Sequence, residues 1–373
     1  MRILYIINAF SWGGAEKLVY DLALNIRLKV ESVSVAALYL YNDDTEKEMT
    51  RVLNEKGIRT YILGKPAGAG RMKGLIDVYR IVKENRCTII HGHCSVPMLF
   101  AKIVGKMAGI PAVCTVHNTK GYSAIKEKLT SWMCRRYISI GEAAEEYMVK
   151  ALGIPAAKIT RIYNAADIHA FENISRKEDF WLEYGGKSSE LKCLNVARVT
   201  QQKNQMCAVR AVKDCLSRGR EVHLFILGAY DEADETYQEL RAYVQDNGLS
   251  EHVTFLGMHT NVWDFLANAD CFIMTSRYEG LSVAFLEAVV CGTPIICTDM
   301  PFVRELMKIG ACAAVIDQDD SKALSDLLIH AAWRTPAQET VEKFKKLFSM
   351  EQFTEKHLIV YQQLCGENLL HEQ

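Results

Sequence analysis

The chain has 373 residues, 49% of them apolar and 24% charged, with a net charge of −1. This length suggests two domains, each with a full core, and Gly and Pro are not enriched enough for a fibrous or low-complexity protein. The charge is unevenly spread: residues 1–165 hold 24 Lys and Arg against 14 Asp and Glu (+10), and residues 166–373 hold 20 against 31 (−11). Such a split suggests a basic domain facing an anionic partner such as a membrane surface or a nucleic acid.

The chain starts with Arg2 followed by the apolar run Ile3–Ile7, which mimics a signal peptide. The run is too short, and Ser11-Trp12-Gly13-Gly14 is a poor cleavage site, so it reads as a first buried strand. No apolar run approaches the roughly 18 residues of a membrane-spanning helix. Further strands are expected at Val33–Leu40, Arg59–Leu63, Thr88–His91, Ala112–Val116 and Arg136–Ile140, and helices at Ala15–Asn25, Glu46–Lys56, Met72–Asn85 and Met98–Met107. This alternation predicts a parallel, doubly wound α/β sheet. Cys87, His91, His93 and Cys94 hold metal-ligand side chains, but a strand between them would keep the four from converging. The twelve cysteines form no C-x-x-C pair and fit a reduced, cytoplasmic protein that uses Cys as a small apolar residue.

A hinge is expected at Arg161–Asp167, with a polar stretch to Ser189. A second α/β set follows, with strands at Leu191–Val196, His223–Leu227, Val253–Leu256, Cys271–Thr275, Pro294–Thr298 and Ala313–Ile316, and a last helix at about Met350–Cys365. The expected domains are therefore 1–165 and 166–349.

The candidate site residues fall in loops that follow strands, where open α/β sheets bind ligands. Gly13 and Gly14 join the first strand to the first helix and permit close backbone approach. His117 follows the strand Ala112–Val116, and His91 and His93 stand near the end of the strand before it. Arg198 and Lys203 lie in a loop leading to a helix, where they would neutralise charge on a departing diphosphate. Glu279 lies in the loop after Cys271–Thr275, and Glu287 about one and a half turns into the helix that Gly292-Thr293-Pro294 stops. The amides of Gly280, Leu281 and Ser282 would offer a cradle for an anion. A sugar nucleotide combines a phosphate with hydroxyls, which suits a cradle beside two carboxylates. Taken singly, each motif also fits a structural role: a turn, a core histidine, solvated cations.

The stretch Glu279–Glu287 resembles the E-x7-E region of family-4 retaining glycosyltransferases of the GT-B fold. Three more stretches resemble that family in the same order: Gly13-Gly14-Ala15-Glu16, Val116-His117-Asn118-Thr119, and Arg198 with Lys203, where Ala197 replaces a usual Gly. Ile162–Asp167 is similar to the family's hinge, with Ala165 for the usual Gly. The resemblance implies two Rossmann-like domains facing across a cleft, with the last helix returning to the first domain. It further implies a donor pyrophosphate at Gly13 and Gly14, a donor sugar at His117 and Glu279, ribose hydroxyls at Glu287 and a base beside Met258.

The expected activity is transfer of a hexose or N-acetylhexosamine from a nucleotide sugar, a UDP-sugar, to a glycan or polyprenyl-diphosphate-linked saccharide, with retention of configuration. No metal and no other cofactor are expected, because Arg198, Lys203 and the helix starts already supply positive charge. Alternatives are a GT-B epimerase, a phosphorylase, or a non-catalytic binder of sugar nucleotides or glycans. No nucleic-acid partner is expected. Lys126, Lys128, Arg135 and Arg136 lie around Tyr122, Ile125, Leu129, Trp132 and Met133, whose spacing suits one face of an amphipathic helix. That segment is expected to dock the basic domain peripherally on the anionic inner face of the cell membrane; a half-buried helix with solvated lysines is the alternative.

Overall fold

The computed structural model describes residues 1–66, 68–168, 171 and 176–371, the last five by backbone only. The polar stretch expected after Asp167 lies partly outside them, as do the chain's last two residues. The chain forms two compact units, Met1–Ala165 with Met350–Gln373, and Ala166–Ser349.

In the first unit seven strands form one parallel sheet: β1 (Arg2–Ile7), β2 (Ser32–Ala37), β3 (Arg59–Ile62), β4 (Ile89–His93), β5 (Ala112–Val116), β6 (Arg136–Ser139) and β7 (Ile159–Arg161). Their order is β3-β2-β1-β4-β5-β6-β7, so the winding reverses between β1 and β4. The inner strands β1, β4 and β5 are buried along nearly their whole length because helices cover both faces of a parallel sheet, while the edge strands β3 and β7 are partly exposed. Among them are α1 (Gly14–Ile26), α2 (Asp44–Glu55), α3 (Arg71–Glu84), α4 (Ser95–Ala108), α5 (Ala124–Thr130) and α6 (Glu142–Lys150). One core lies between the sheet, α3 and α4, around Leu4, Ile6, Val78, Phe100 and Val104.

In the second unit six strands lie in the order β10-β9-β8-β11-β12-β13, again all parallel. They are β8 (Leu191–Val196), β9 (Val222–Leu227), β10 (Val253–Gly257), β11 (Cys271–Met274), β12 (Ile295–Thr298) and β13 (Ala314–Ile316), and the winding reverses between β8 and β11. Helices α7 (Gln205–Ser217), α8 (Glu235–Asp246), α9 (Val262–Asn268), α10 (Val283–Cys291), α11 (Pro301–Lys308), α12 (Ser321–His330) and α13 (Gln338–Leu347) complete it. The last helix, α14 (Met350–His371), packs against α1 in the first unit.

Several boundaries differ from expectation. β2 ends at Ala37 rather than Leu40, and Leu40 and Tyr41 leave the sheet exposed. β4 runs on to His93, which places His91 and His93 inside the strand on one face, since side chains repeat every second residue. α4 begins at Ser95, because Pro97 sits in the first turn, where its missing N–H costs no hydrogen bond. The stretch 122–133 is not one helix: α5 has seven residues, and a 3-10 turn, Ser131–Met133, follows.

Candidate functional site

Both sheets bring their candidate residues to the carboxyl edge, near the reversal of winding, where two neighbouring loops diverge and leave room for a ligand. In the second unit these are the loops after β8 and β11. They are tied together by backbone and side chain: Arg277 N–H donates to Gln202 O (2.8 Å), Gln202 Nε2 to Tyr278 O (2.8 Å), and Thr275 Oγ1 to Asn204 O (2.9 Å). Beneath them, Gly228 holds φ +151°, and a Cβ there would lie 2.2 Å from Ala197 O. Only glycine lets the Arg198 loop settle so close to the next strand.

Lys203 and Glu279 lie 76 positions apart in sequence, yet the Lys203 ammonium donates to the Glu279 carboxylate. Arg198 is exposed, and its guanidinium makes no ion pair among the described residues. The loop edge therefore presents one open cation and one internally matched pair, in place of two open cations. Lys203 still has donors to offer, because an ammonium carries three.

Helix α10 begins at Val283. Ser282 is its N-cap and accepts from Phe285 N–H (3.3 Å). Gly280 and Leu281 thus precede the helix start as buried loop residues, and the open amides of the first turn belong to Val283 and Ala284. Glu287 lies on the same helix, buried at 8% exposure. Met258 follows Gly257, where β10 bulges, and is 47% exposed.

In the first unit, Gly13 is the N-cap of α1 and Gly14 its first residue. Neither is forced to be glycine by a left-handed backbone, and a Cβ on Gly14 would meet nothing within 4 Å. His117, just past β5, donates its backbone N–H to Tyr122 Oη (3.1 Å), and its Nε2 lies 3.0 Å from His93 Nδ1. Desolvation chiefly, then the nearby His357, pulls His117 down to about 3, so its ring is neutral. His91 is bonded on both nitrogens, Nδ1 to Tyr361 Oη (2.7 Å) and Nε2 to Thr115 Oγ1 (2.8 Å). The sequence hid this row, because its members come from β4, β5 and α14.

The basic segment folds inside out relative to a buried amphipathic helix. Glu127 points inward to a buried ion pair with Lys102 (2.7 Å) and accepts from Tyr137 Oη (2.9 Å). Ile125, Leu129 and Trp132 face outward, 73%, 67% and 61% exposed, beside exposed Lys126, Lys128 and Arg135. Tyr122 and Met133 do not share that exposure, and Arg136 is half-buried, donating to Ala157 O (3.1 Å).

The expectation of metal independence passed over one Asp-x-Asp triplet, Asp317-Gln318-Asp319. Asp319 there accepts from Arg277 (3.0 Å) and Asn204 (2.9 Å). One group with metal-ligand chemistry occurs among the described residues: donor atoms of Glu190, Glu221 and His252 lie within 4.8 Å of one another. These residues directly precede β8, β9 and β10, at the opposite edge of the sheet from Arg198, Lys203 and Glu279. Glu190 is buried there near His223 (3.4 Å) and His252 (3.6 Å). Cys87, His91, His93 and Cys94 do not form such a group. No helix among the described residues is long and apolar enough to cross a membrane.

Two family models match, Glycosyltransferase Family 4 over residues 12–170 and Glycosyl transferases group 1 over 177–346, together most of the chain. EpsF of Bacillus subtilis, named as a glycosyltransferase, is 26% identical over 80% of this chain and 79% of its own. An Escherichia coli UDP-Gal:alpha-D-GlcNAc-diphosphoundecaprenol alpha-1,3-galactosyltransferase is 25% identical over 69% of this chain and 70% of its own. Among solved structures, Anabaena HepE in complex with UDP and glucose superposes with a TM-score of 0.83 at 18% identity, covering 97% of this chain and 100% of that one.

Proposed function

Because the chain belongs to the family-4 glycosyltransferases of the GT-B fold, we propose that it moves a hexose or N-acetylhexosamine from a UDP-sugar to a lipid-linked saccharide, with retention, in surface-polysaccharide assembly. The observation that carries this reading is the matched Lys203–Glu279 pair beside the open Arg198, set on two interlocked loops at the switch point of the second unit. Two relatives are named for sugar transfer to diphospho-undecaprenol-linked acceptors, and one of them for a UDP-sugar donor.

The uridine nucleotide rests on the second unit, with its base beside Met258 and its ribose hydroxyls on the Glu287 carboxylate. As the bond from the anomeric carbon to the diphosphate oxygen breaks, Arg198 and Lys203 neutralise the charge that grows on the leaving group. The acceptor hydroxyl attacks on the face the diphosphate leaves, and its proton passes to the diphosphate oxygen. Glu279 turns between Lys203 and a sugar hydroxyl, while His117 donates to another hydroxyl near the reacting carbon. The Gly13–Gly14 backbone approaches the donor pyrophosphate. These cations perform the neutralisation that a divalent metal performs elsewhere, so turnover needs no metal. The protein works in the cytoplasm, held loosely on the anionic inner membrane face by the α5 segment.

The test is a panel of UDP- and GDP-sugars, scored for thermal stabilisation and slow release of free nucleotide, with and without EDTA. A UDP-sugar that stabilises the protein and is slowly hydrolysed supports the reading. No UDP-sugar hit, conversion of a sugar nucleotide without nucleotide release, or loss on chelation restored by Mn²⁺ would overturn the corresponding part.

A further inference from the structure

The row of buried histidines beneath His117 has no part in the chemistry above. His93 is 3% exposed and lies between two imidazoles. On one side the His91 ring lies tilted against it, centroids 4.0 Å apart and planes at 35°; on the other lies His117, with ring centroids 5.2 Å apart and planes 30° from parallel. His91 is itself locked between Tyr361 of α14 and Thr115 of β5, and Tyr361 reaches Tyr5 of β1 (3.4 Å). The groups that face His93 are His91, His117 and Tyr5, with His357 nearby, none of them charged when the histidines are neutral.

The hydrogen bond between His93 Nδ1 and His117 Nε2, 3.0 Å long, needs one proton, and either ring can supply it. The environment of His93 decides which. Its other nitrogen, Nε2, is buried and has no hydrogen-bond partner among the described residues. If His93 were protonated there, that N–H would be a buried orphan donor, the rarer and costlier fault in a folded protein. With the proton on Nδ1, His93 donates to His117 and leaves only a lone pair unmatched. His117 then accepts at Nε2 and carries its own proton on Nδ1, to which no hydrogen bond runs among the described residues.

We propose that His93 is a positioning residue that fixes His117 in the Nδ1–H tautomer, so that His117 meets the donor sugar as a hydrogen-bond donor to a hydroxyl. The sugar contact rests on the role given to His117 above; the tautomer does not. Two variants separate donation from bulk. His93→Asn keeps a side-chain N–H near the Nδ1 position, and His93→Leu removes it at similar volume. In protein labelled with ¹⁵N-histidine, long-range proton–nitrogen NMR reads the His117 tautomer, its signal identified by its loss in His117→Gln. The expected result is Nδ1–H in wild type and His93→Asn, and a mixture or the Nε2–H form in His93→Leu. With the donor found by the nucleotide-sugar panel, His93→Leu should lose about three- to tenfold in kcat, the scale of one net hydrogen bond, while His93→Asn recovers to within about twofold. Wild-type His117 in the Nε2–H form, an unchanged tautomer in His93→Leu, or a His93→Asn enzyme as slow as His93→Leu overturns the proposal. If His117→Gln turns over normally, the sugar contact falls with the reading it rests on, and the tautomer measurement alone decides the role of His93.

Discussion

Gly14→Ala separates what the fold asks of the first loop from what a ligand asks of it. Gly14 opens α1 with an ordinary backbone, and an added Cβ would touch nothing within 4 Å. The fold should therefore accept alanine without loss and gain up to about 1 kcal/mol from its better helix propensity. For a unit of this size that is a rise in Tm of zero to about 4 °C. The ligand should not accept it. A methyl group stands about 1.5 Å out from Cα, and a displacement near 1 Å at a reacting centre costs on the order of a hundredfold. The assay pairs a thermal melt with donor turnover, and Gly228→Ala is the contrast. There the Cβ would lie 2.2 Å from Ala197 O, so the melt itself should collapse. A Gly14→Ala protein that turns over within twofold of wild type would refute the claim that this open space is a ligand's. One that melts early would refute the account of the backbone.

Arg198→Ala or Lys203→Ala should each lower turnover by about two to three orders of magnitude with folding intact, measured as nucleotide release; near-normal rates in both would sink the diphosphate assignment. Lys102→Met strands buried Glu127 without its partner and should cost about 3–5 kcal/mol, a fall in Tm of about 10 °C or more, which Lys102→Met combined with Glu127→Leu should largely restore. Burial lowers the pKa of His91, His93, His117 and His357, the last to about 4, so the unfolded chain binds more protons than the folded one below pH 6.5. Stability should therefore be full above about pH 6.5 and fall toward pH 4; a Tm unchanged between pH 7 and 5 would contradict this. Vesicles of anionic lipid should co-sediment the protein at low salt and release it at high salt, and a Lys126, Lys128, Arg135 and Arg136 to Ser variant should bind more weakly; equal binding to neutral vesicles would exclude this docking face.

The strands were legible because a parallel sheet covered on both faces writes itself as continuous apolar runs, as at Ile3–Ile7 and Cys271–Met274. The candidate loops were legible for the same reason, each following such a run. Pairings across many residues were not. Nothing local to Lys203 or Glu279 signals their contact, and nothing near Glu127 announces Lys102. At α5 the single helix over 122–133 and the half-buried alternative failed, because periodicity says which residues share a face but not which face points inward or where a helix stops. A buried carboxylate can claim the interior when a lysine waits there. His91 and His93 were separable from the loop by strand period alone, yet an early end to the strand hid their shared face. Asp317-Gln318-Asp319 is plain in the sequence, but nothing local to it shows that Asp319 is held by Arg277 and Asn204.

The first unit is not contiguous along the chain: Met350–Gln373 belongs to it although Ala166–Ser349 does not. Domain dissection is therefore lopsided. A gene fragment encoding 166–349 carries every strand of its own sheet, with termini already joined by the Ala166–Ser349 bridge, and can be expressed as it stands. A fragment ending at Ala165 lacks Tyr361 and His357, leaving His91 with only one of its two hydroxyl partners, Thr115. The amino-terminal module is best made as 1–165 spliced to 350–373 through a short linker, or as two co-expressed pieces, in which the last helix acts as a separable reporter of whether the histidine row has formed.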